Sequence, residues 1–245
     1  MRDEVKIAKM RIAGKILSEV MEDIKPYLKV GVTLNEIDNV AEQACIKRNV
    51  LPAFKGYEGF PSTVCFELND VVVHGVATDY ALKDGDKIGI DMGVKYQDVY
   101  SDASFTVLIG NASKETKKFI ETTKQALYAG IREAKVGNTV GDIGWAIQHT
   151  VEKEGYSVVR EMVGHGIGYE LHEEPYIPGY GEKGGDEELY DGQTIAIEAI
   201  INQGKKDIII SKKDGWTTRT KDGMLSALFE HTVVVGKIPE ILTRW

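Results

Sequence analysis

The sequence is short of most features that mark secreted, membrane-bound or nucleic-acid-bound chains. Its 245 residues contain two cysteines, Cys45 and Cys65. Two are too few for a disulfide framework, so both are read as reduced, buried thiols. Prolines number six, and no Ser/Pro-rich or low-complexity tract breaks the chain, which argues against a linker between separate units. No apolar stretch approaches the length of a bilayer span, and none follows the opening MRDEVKIAKMR, so neither a transmembrane helix nor a secretory leader is expected. Cations are in deficit, 30 Lys+Arg against 38 Asp+Glu for a net charge of −8. That balance argues against a general binder of nucleic acid or anionic lipid. A soluble, cytoplasmic location is the expectation.

What is present is ordinary globular material, 42% hydrophobic and 28% charged, in a chain long enough to bury a full core. It also carries an internal repeat. LKDGDKIGID (82–91) and LYDGQTIAIE (189–198) share the pattern L-x-D-G-x-x-I-x-I followed by a carboxylate, 107 positions apart. VGVTLNEI (30–37) and VGNTVGDI (136–143) match 106 positions apart. Two matches at nearly one offset indicate a duplication, with halves at about 1–110 and 111–245.

Each half reads helix–helix–strand–strand. Ile7, Met10, Ala13, Leu17, Val20 and Ile24 recur at spacings of three and four, predicting an amphipathic helix over 4–25. Phe119, Thr123, Leu127, Gly130 and Ile131 predict its counterpart over roughly 113–134. The next helix of each half opens on a capping box, Thr33 with Glu36 and Thr139 with Asp142. Strands follow at VVVHGV, KIGIDMGV and SFTVLIG, then at TIAIEAII, KDIIIS and HTVVVG, with Gly/Pro-marked loops near 55–61 and 178–185. Long helices alternating with hairpin strands predict an α+β layer fold in which both halves share one sheet and one core.

The strand TIAIEAI places Glu198 on one face with Thr194 and Ala196, an expensive site for an unanswered carboxylate. Asp91 ends the equivalent strand, and Asp102 follows after VKYQD, which is polar enough to turn. A hairpin centred between Tyr96 and Gln97 sets Asp91 directly opposite Asp102, where Cβ atoms lie about 4.5–5.5 Å apart. Glu198 and Glu230 are likewise symmetric about the Asp214-Gly215 turn signal. Gly89 beside Asp91 and Ala196 beside Glu198 leave that face open. Four carboxylates converging on a hollow repel one another unless cations intervene. A pair of divalent ions about 3.5–4 Å apart, bridged by carboxylates, answers them.

The histidines are His74, His149, His165, His172 and His231. His165 lies between glycines in VGHGIG, which permits close approach to an ion. His149 reads as an ordinary helix residue, and His231 points away from the face of Glu230. One imidazole among four carboxylates suits Mn(II), Fe(II) or Co(II) better than a thiolate-type structural zinc.

Taken in order, VVVHGV, GIDMGVKYQDVYSDASFTV, GHGIGYELHEEP, AIEAIIN and SALFEHTVV resemble the type I methionine aminopeptidases over essentially the whole chain. These belong to the pita-bread metallopeptidases, two pseudo-symmetric α+β halves around a dinuclear metal site. The length fits the minimal bacterial-type form, and the long insertion of type II enzymes is missing. The resemblance implies that Asp91, Asp102, His165, Glu198 and Glu230 are the metal ligands, with Asp102 and Glu230 bridging. It implies two divalent ions per chain (Co, Mn, Fe, Ni or Zn) and a metal-bridged water as nucleophile. His74, His172 and Glu198 become the catalytic groups, Glu198 moving the proton and His172 donating to the developing oxyanion. Tyr57, Cys65 and Trp216, with Phe54, Phe60 and Leu171, become the methionine pocket beside His74 and His172. The implied partners are N-termini of nascent polypeptides with a small second residue, the ribosome being one place of encounter. A monomer is expected. Ala199 stands where the family commonly has proline, Glu58 where histidine is common, and Phe54 and Leu171 replace frequent pocket residues. A prolidase on the same fold would need an N-terminal domain for which this chain has no room. A metal-free binding module would lack ligands that are present here.

Overall fold

The structure, a computed structural model, describes residues 3–245. The four long helices form where their apolar spacing and caps place them. α1 (Glu4–Ile24) starts on Asp3, whose side chain accepts from the Lys6 N–H, and buries Ile7, Met10, Ala13, Leu17, Val20 and Ile24. α2 (Leu34–Lys47) and α4 (Val140–Glu152) each begin with the expected two-way capping box, Thr33/Glu36 and Thr139/Asp142. α3 (Lys114–Glu133) is capped by Ser113 and packs on α4, as α1 packs on α2. His149 stacks on Trp145 within α4, the structural role expected of it.

Among the described residues, thirteen strands follow in chain order. The first half supplies β1 (Leu51–Pro52), β2 (Cys65–Leu68), β3 (Val71–Val73), β4 (Lys87–Tyr96) and β5 (Val99–Leu108). The second supplies β6 (Ser157–Val158), β7 (Gly164–Gly166), β8 (Glu173–Ile177), β9 (Thr194–Asn202), β10 (Ile208–Ile210), β11 (Thr218–Thr220), β12 (Ser226–Val234) and β13 (Glu240–Ile241). Ten form one sheet whose central order is β4-β5-β12-β9, with β2 on the outer edge of β4 and β7 on the outer edge of β9. The layout is symmetric about the β5–β12 seam, so the two halves share a sheet, as the repeat predicts. A separate sheet of β10, β11 and β3 was not anticipated; it joins VVV of the first half to III of the second.

The seam between the halves is only partly a backbone ladder, running through Glu230↔Ser104 and His231↔Ala103. On either side of it a threonine takes over. Thr232 Oγ1 accepts from the Asp102 N–H at 2.9 Å and donates to the Asp102 carbonyl at 2.8 Å. Thr106 Oγ1 accepts from the Leu228 N–H at 3.2 Å and donates to the Leu228 carbonyl at 2.7 Å. A hydroxyl is both donor and acceptor, so one side chain replaces a pair of ladder bonds.

Candidate metal centre

The sheet's inner face carries the acids. On β4, Lys87, Gly89, Asp91 and Gly93 share a face by strand alternation. Asp91 does not stand opposite Asp102 as expected. The register pairs Asp91 with Ser104 and Asp102 with Gly93. The turn is the two-residue loop Gln97-Asp98, one residue further along than the assumed centre, with Gln97 at φ 55 in the left-handed region. A two-residue slip conserves the face, so the two aspartates meet diagonally. On β9 and β12, Glu198 does stand directly opposite Glu230.

These groups are desolvated. Asp91, Asp102, His165 and Glu230 are buried, and Glu198 is nearly so. Burial pushes the Asp102 carboxyl up to about 7, and burial with the Asp102 charge pushes Glu198 up to about 8. Asp91 and Glu230 are pushed well above the usual carboxylate range by burial and by the surrounding carboxylates. Burial, with the nearby His172, pulls His165 down to about 4, leaving it neutral at pH 7. Its Nδ1–H donates to the Gly166 carbonyl at 2.9 Å, which leaves Nε2 as a lone-pair donor, 3.8 Å from Glu198 Oε1.

Asp102, His165 and Glu230 present ligand atoms within 4.8 Å of one another. Asp102 Oδ1 and Glu230 Oε1 are buried without a hydrogen-bond partner among the described residues. Deprotonatable oxygens held together with no donor, beside a neutral imidazole nitrogen, fit a divalent cation of the oxygen-accepting kind.

Asp91, Asp102, His165, Glu198 and Glu230 all line one cavity with about 670 Å³ of open space. His74, His172, Phe54, Tyr57, Phe60, Cys65, Leu171 and Trp216 line it too, so every residue named for the ligand set, the catalytic groups or the methionine pocket reaches the same hollow. Phe60 and Trp216 meet edge to face at 5.4 Å, and Phe60 and Leu171 are both cavity wall and buried core. Tyr57 hydroxyl lies 3.0 Å from His172 Nδ1, and the His165 and His172 rings meet edge to face at 4.4 Å. His74 sits at φ 58 just after β3, where the backbone leaves the small sheet. His231 faces away from the acids, bonded to Thr243 and stacked on Trp245.

Glu58, noted in the sequence as a departure from the family, lines the cavity as well, and so does Val73, which the sequence reading did not single out. Glu67 is fully buried on the acid-bearing face of β2, opposite Gly89. The face over Gly89 is therefore not open as expected: a Cβ there would meet Glu67 Oε2 at 2.5 Å. The signal was available, a lone glutamate in the alternating strand CFEL, the same anomaly as Glu198 in TIAIEAI.

A pseudo-symmetric α+β sheet whose inner face gathers four acids and an imidazole is the scaffold of a metallopeptidase. The chain belongs to metallopeptidase family M24, whose model matches residues 8–237. Among curated proteins it is 42% identical to methionine aminopeptidase 1 of Bacillus subtilis over 236 residues, covering 96% of this chain and 95% of that protein. The crystal structure of methionine aminopeptidase from Rickettsia prowazekii superposes with a TM-score of 0.97 at 40% identity, covering 100% of this chain and 99% of that one. The prolidase of Pyrococcus horikoshii shares the fold at 23% identity and a TM-score of 0.79, but only 63% of its chain is covered. The expected pita-bread fold is what this chain adopts. No helix among the described residues is long and apolar enough to cross a membrane.

Proposed function

We propose that the protein is a dinuclear, metal-dependent aminopeptidase that removes the initiator methionine from nascent chains and peptides with a small second residue. The observation that carries this reading is the buried cluster of Asp102, His165 and Glu230, two of its oxygens unpartnered, in the wall of an aromatic-lined cavity. Asp91 and Glu198 complete the ligand set in this proposal, and the whole chain acts as one catalytic unit.

Divalent ions bound there supply Lewis acidity toward the scissile carbonyl and a water of lowered pKa. The rest falls to side chains. Glu198, raised to about 8 before cations bind, takes the nucleophile's proton and returns it to the leaving amine. Tyr57 donates its O–H to His172 Nδ1, which fixes the neutral ring with its proton on Nε2. That N–H then donates to the oxyanion as it forms. His74, neutral because burial and the nearby His172 lower its pKa, holds the substrate backbone beyond the cleaved bond. Tyr57, Phe60, Cys65, Leu171 and Trp216 offer the apolar, adaptable wall that a thioether side chain requires. The substrates are free N-termini emerging from the ribosome or on released chains, met in the cytoplasm by a monomer.

The test is release of methionine from Met-Ala-Ser by metal-stripped protein. Mn(II), Co(II), Fe(II), Ni(II) and Zn(II) are added back separately without oxygen, beside Met-Pro-Ser and an Xaa-Pro dipeptide. Metal-dependent cleavage of Met-Ala-Ser with the dipeptide untouched is expected, and the rates rank the ions. Cleavage of the dipeptide alone would make the protein a prolidase, and silence on every peptide would remove the enzymatic reading.

A further inference from the structure

The repeat places Lys87-Ile88-Gly89-Ile90-Asp91 on β4 in register with Thr194-Ile195-Ala196-Ile197-Glu198 on β9. Across the outer edge of β9, antiparallel β7 sets His165 opposite Ala196. Across the outer edge of β4, antiparallel β2 sets Glu67 opposite Gly89. Glu67 thus occupies in the first half the place that His165 occupies in the second. Glycine stands where the second half has alanine because the Glu67 side chain lies on it.

Glu67 is fully buried, and neither carboxylate oxygen receives a hydrogen bond from another residue among those described. The compensating cation, Lys87, is also fully buried, but its ammonium is bonded to the Glu67 backbone carbonyl. No oxygen of the Glu67 carboxylate lies within 4.0 Å of a described cationic nitrogen. The carboxylate is therefore not spent on the lysine. The charged groups around it are Lys87 and Asp91 of β4, Glu198 of β9 and Glu230 of β12, with Cys65 on its own strand and Asp70 beyond Lys87.

We propose that Glu67 is an outer carboxylate of the metal centre, the first half's counterpart of His165, which raises affinity for divalent ions. It is a positioning residue: it acts on the cations through the field it shares with Asp91 and Glu230 rather than on substrate. Outer-sphere groups of this kind are worth about 10–100-fold in metal affinity.

The inference rests on reading the cluster as a metal centre, and calorimetry with Mn(II) alone separates the two. Metal-stripped protein is titrated at pH 7, which yields the affinity. Glu67→Gln is expected to bind Mn(II) about tenfold or more weakly, and Glu67→Asp, which keeps the charge, is expected to recover part of that affinity. Glu67→Gln/Lys87→Met removes both charges and is expected to show the same loss as Glu67→Gln, which protects the test if the lone buried lysine unfolds the single variant. Thermal melts of the stripped proteins establish folding. Affinity within twofold of the parent in a folded variant overturns the inference, and so does failure of both variants to fold, since the pair would then serve the core. Absence of Mn(II) binding in the parent itself sinks the metal-centre reading, and the inference with it.

Discussion

Two pairs of strands build the acidic face, and they are closed in unlike ways. β4 and β5 form an unbroken ten-residue ladder around a two-residue loop. β9 and β12 pair over nine residues, but residues 203–225 run out between them to make β10 and β11. The tight hairpin nevertheless sets its two acids diagonally, and the wide one sets them face to face. Turn length decides how quickly strands meet; the inward alternation decides which side chains share the hollow. A slip of two residues moves an acid along the face without removing it from the cavity. The duplicated halves have diverged in register, in connection and at Gly89/Ala196 while keeping their acids on one face.

If both halves contribute one bridging acid, the largest effects come from Asp102→Asn and Glu230→Gln. Each is expected to bring peptide turnover to background while circular dichroism and melting show a folded protein. Near-normal turnover in one of them would mean that the halves are unequal and that the site is not bridged from both sides.

The seam offers a finer contrast. Thr232→Val and Thr106→Val each leave a backbone N–H and C=O without their side-chain partner, which should cost about 1–3 kcal/mol apiece. Only Thr232 grips the backbone of Asp102, so only Thr232→Val should also weaken metal binding. Equal effects on Mn(II) affinity would detach the seam from the site.

Metal-free protein should show an optimum of stability in mildly acid solution. Asp102 at about 7 and Glu198 at about 8 bind protons more tightly folded than unfolded. Their contribution therefore falls as pH rises from about 4 through 8. His231, pulled down to about 3 by burial and by the positive charges of Arg244 and Lys124, works in the other direction. It is neutral in the fold and charged in the unfolded chain, so its contribution is lost as pH falls from about 6.5 through 3. Melting temperature against pH reads both limbs, and saturating Mn(II) should flatten the alkaline limb alone. A metal-free protein that gains stability steadily from pH 5 to 8 would contradict the raised carboxylates.

The smallest effect belongs to the tight turn. Gln97 is held at φ 55, where a side chain is strained, so Gln97→Gly should stabilise the protein by up to ~1 kcal/mol in denaturant unfolding. A loss of stability would show that the Gln97 side chain, which bonds to the Tyr96 hydroxyl, outweighs the strain.

That same turn explains what could and could not be read from the sequence. The helices were legible because apolar spacing and two capping boxes agree with the packed result at Thr33 and Thr139. The convergence of Asp91, Asp102, Glu198 and Glu230 was legible because alternation and the repeat do not depend on loop detail, whereas His165 joined them through its flanking glycines and the family resemblance. The β4–β5 register was not, since no Gly or Asn marks Gln97 as left-handed. The pairing of Glu198 with Glu230 was, because the long excursion is itself nearly symmetric. The small sheet stayed hidden because it joins Val71–Val73 to Thr218–Thr220, and nothing local in either segment names the other. Glu67 and Lys87 were missed because a charged residue near a strand end normally signals solvent, and here both side chains lie inside.

The threonine clasp at Asp102 has a consequence for how the protein is made. Asp102 is translated early, but the hydroxyl that holds its backbone and the glutamate that shares its cavity both lie on the last long strand. A ribosome that has synthesised Asp91, Asp102, His165 and Glu198 has still not delivered β12, and the gap in the middle of the sheet stays open. Contacts this distant in sequence form late. A protein that trims other newborn chains would thus stay inert through nearly all of its own birth, and competence would arrive with its last long strand.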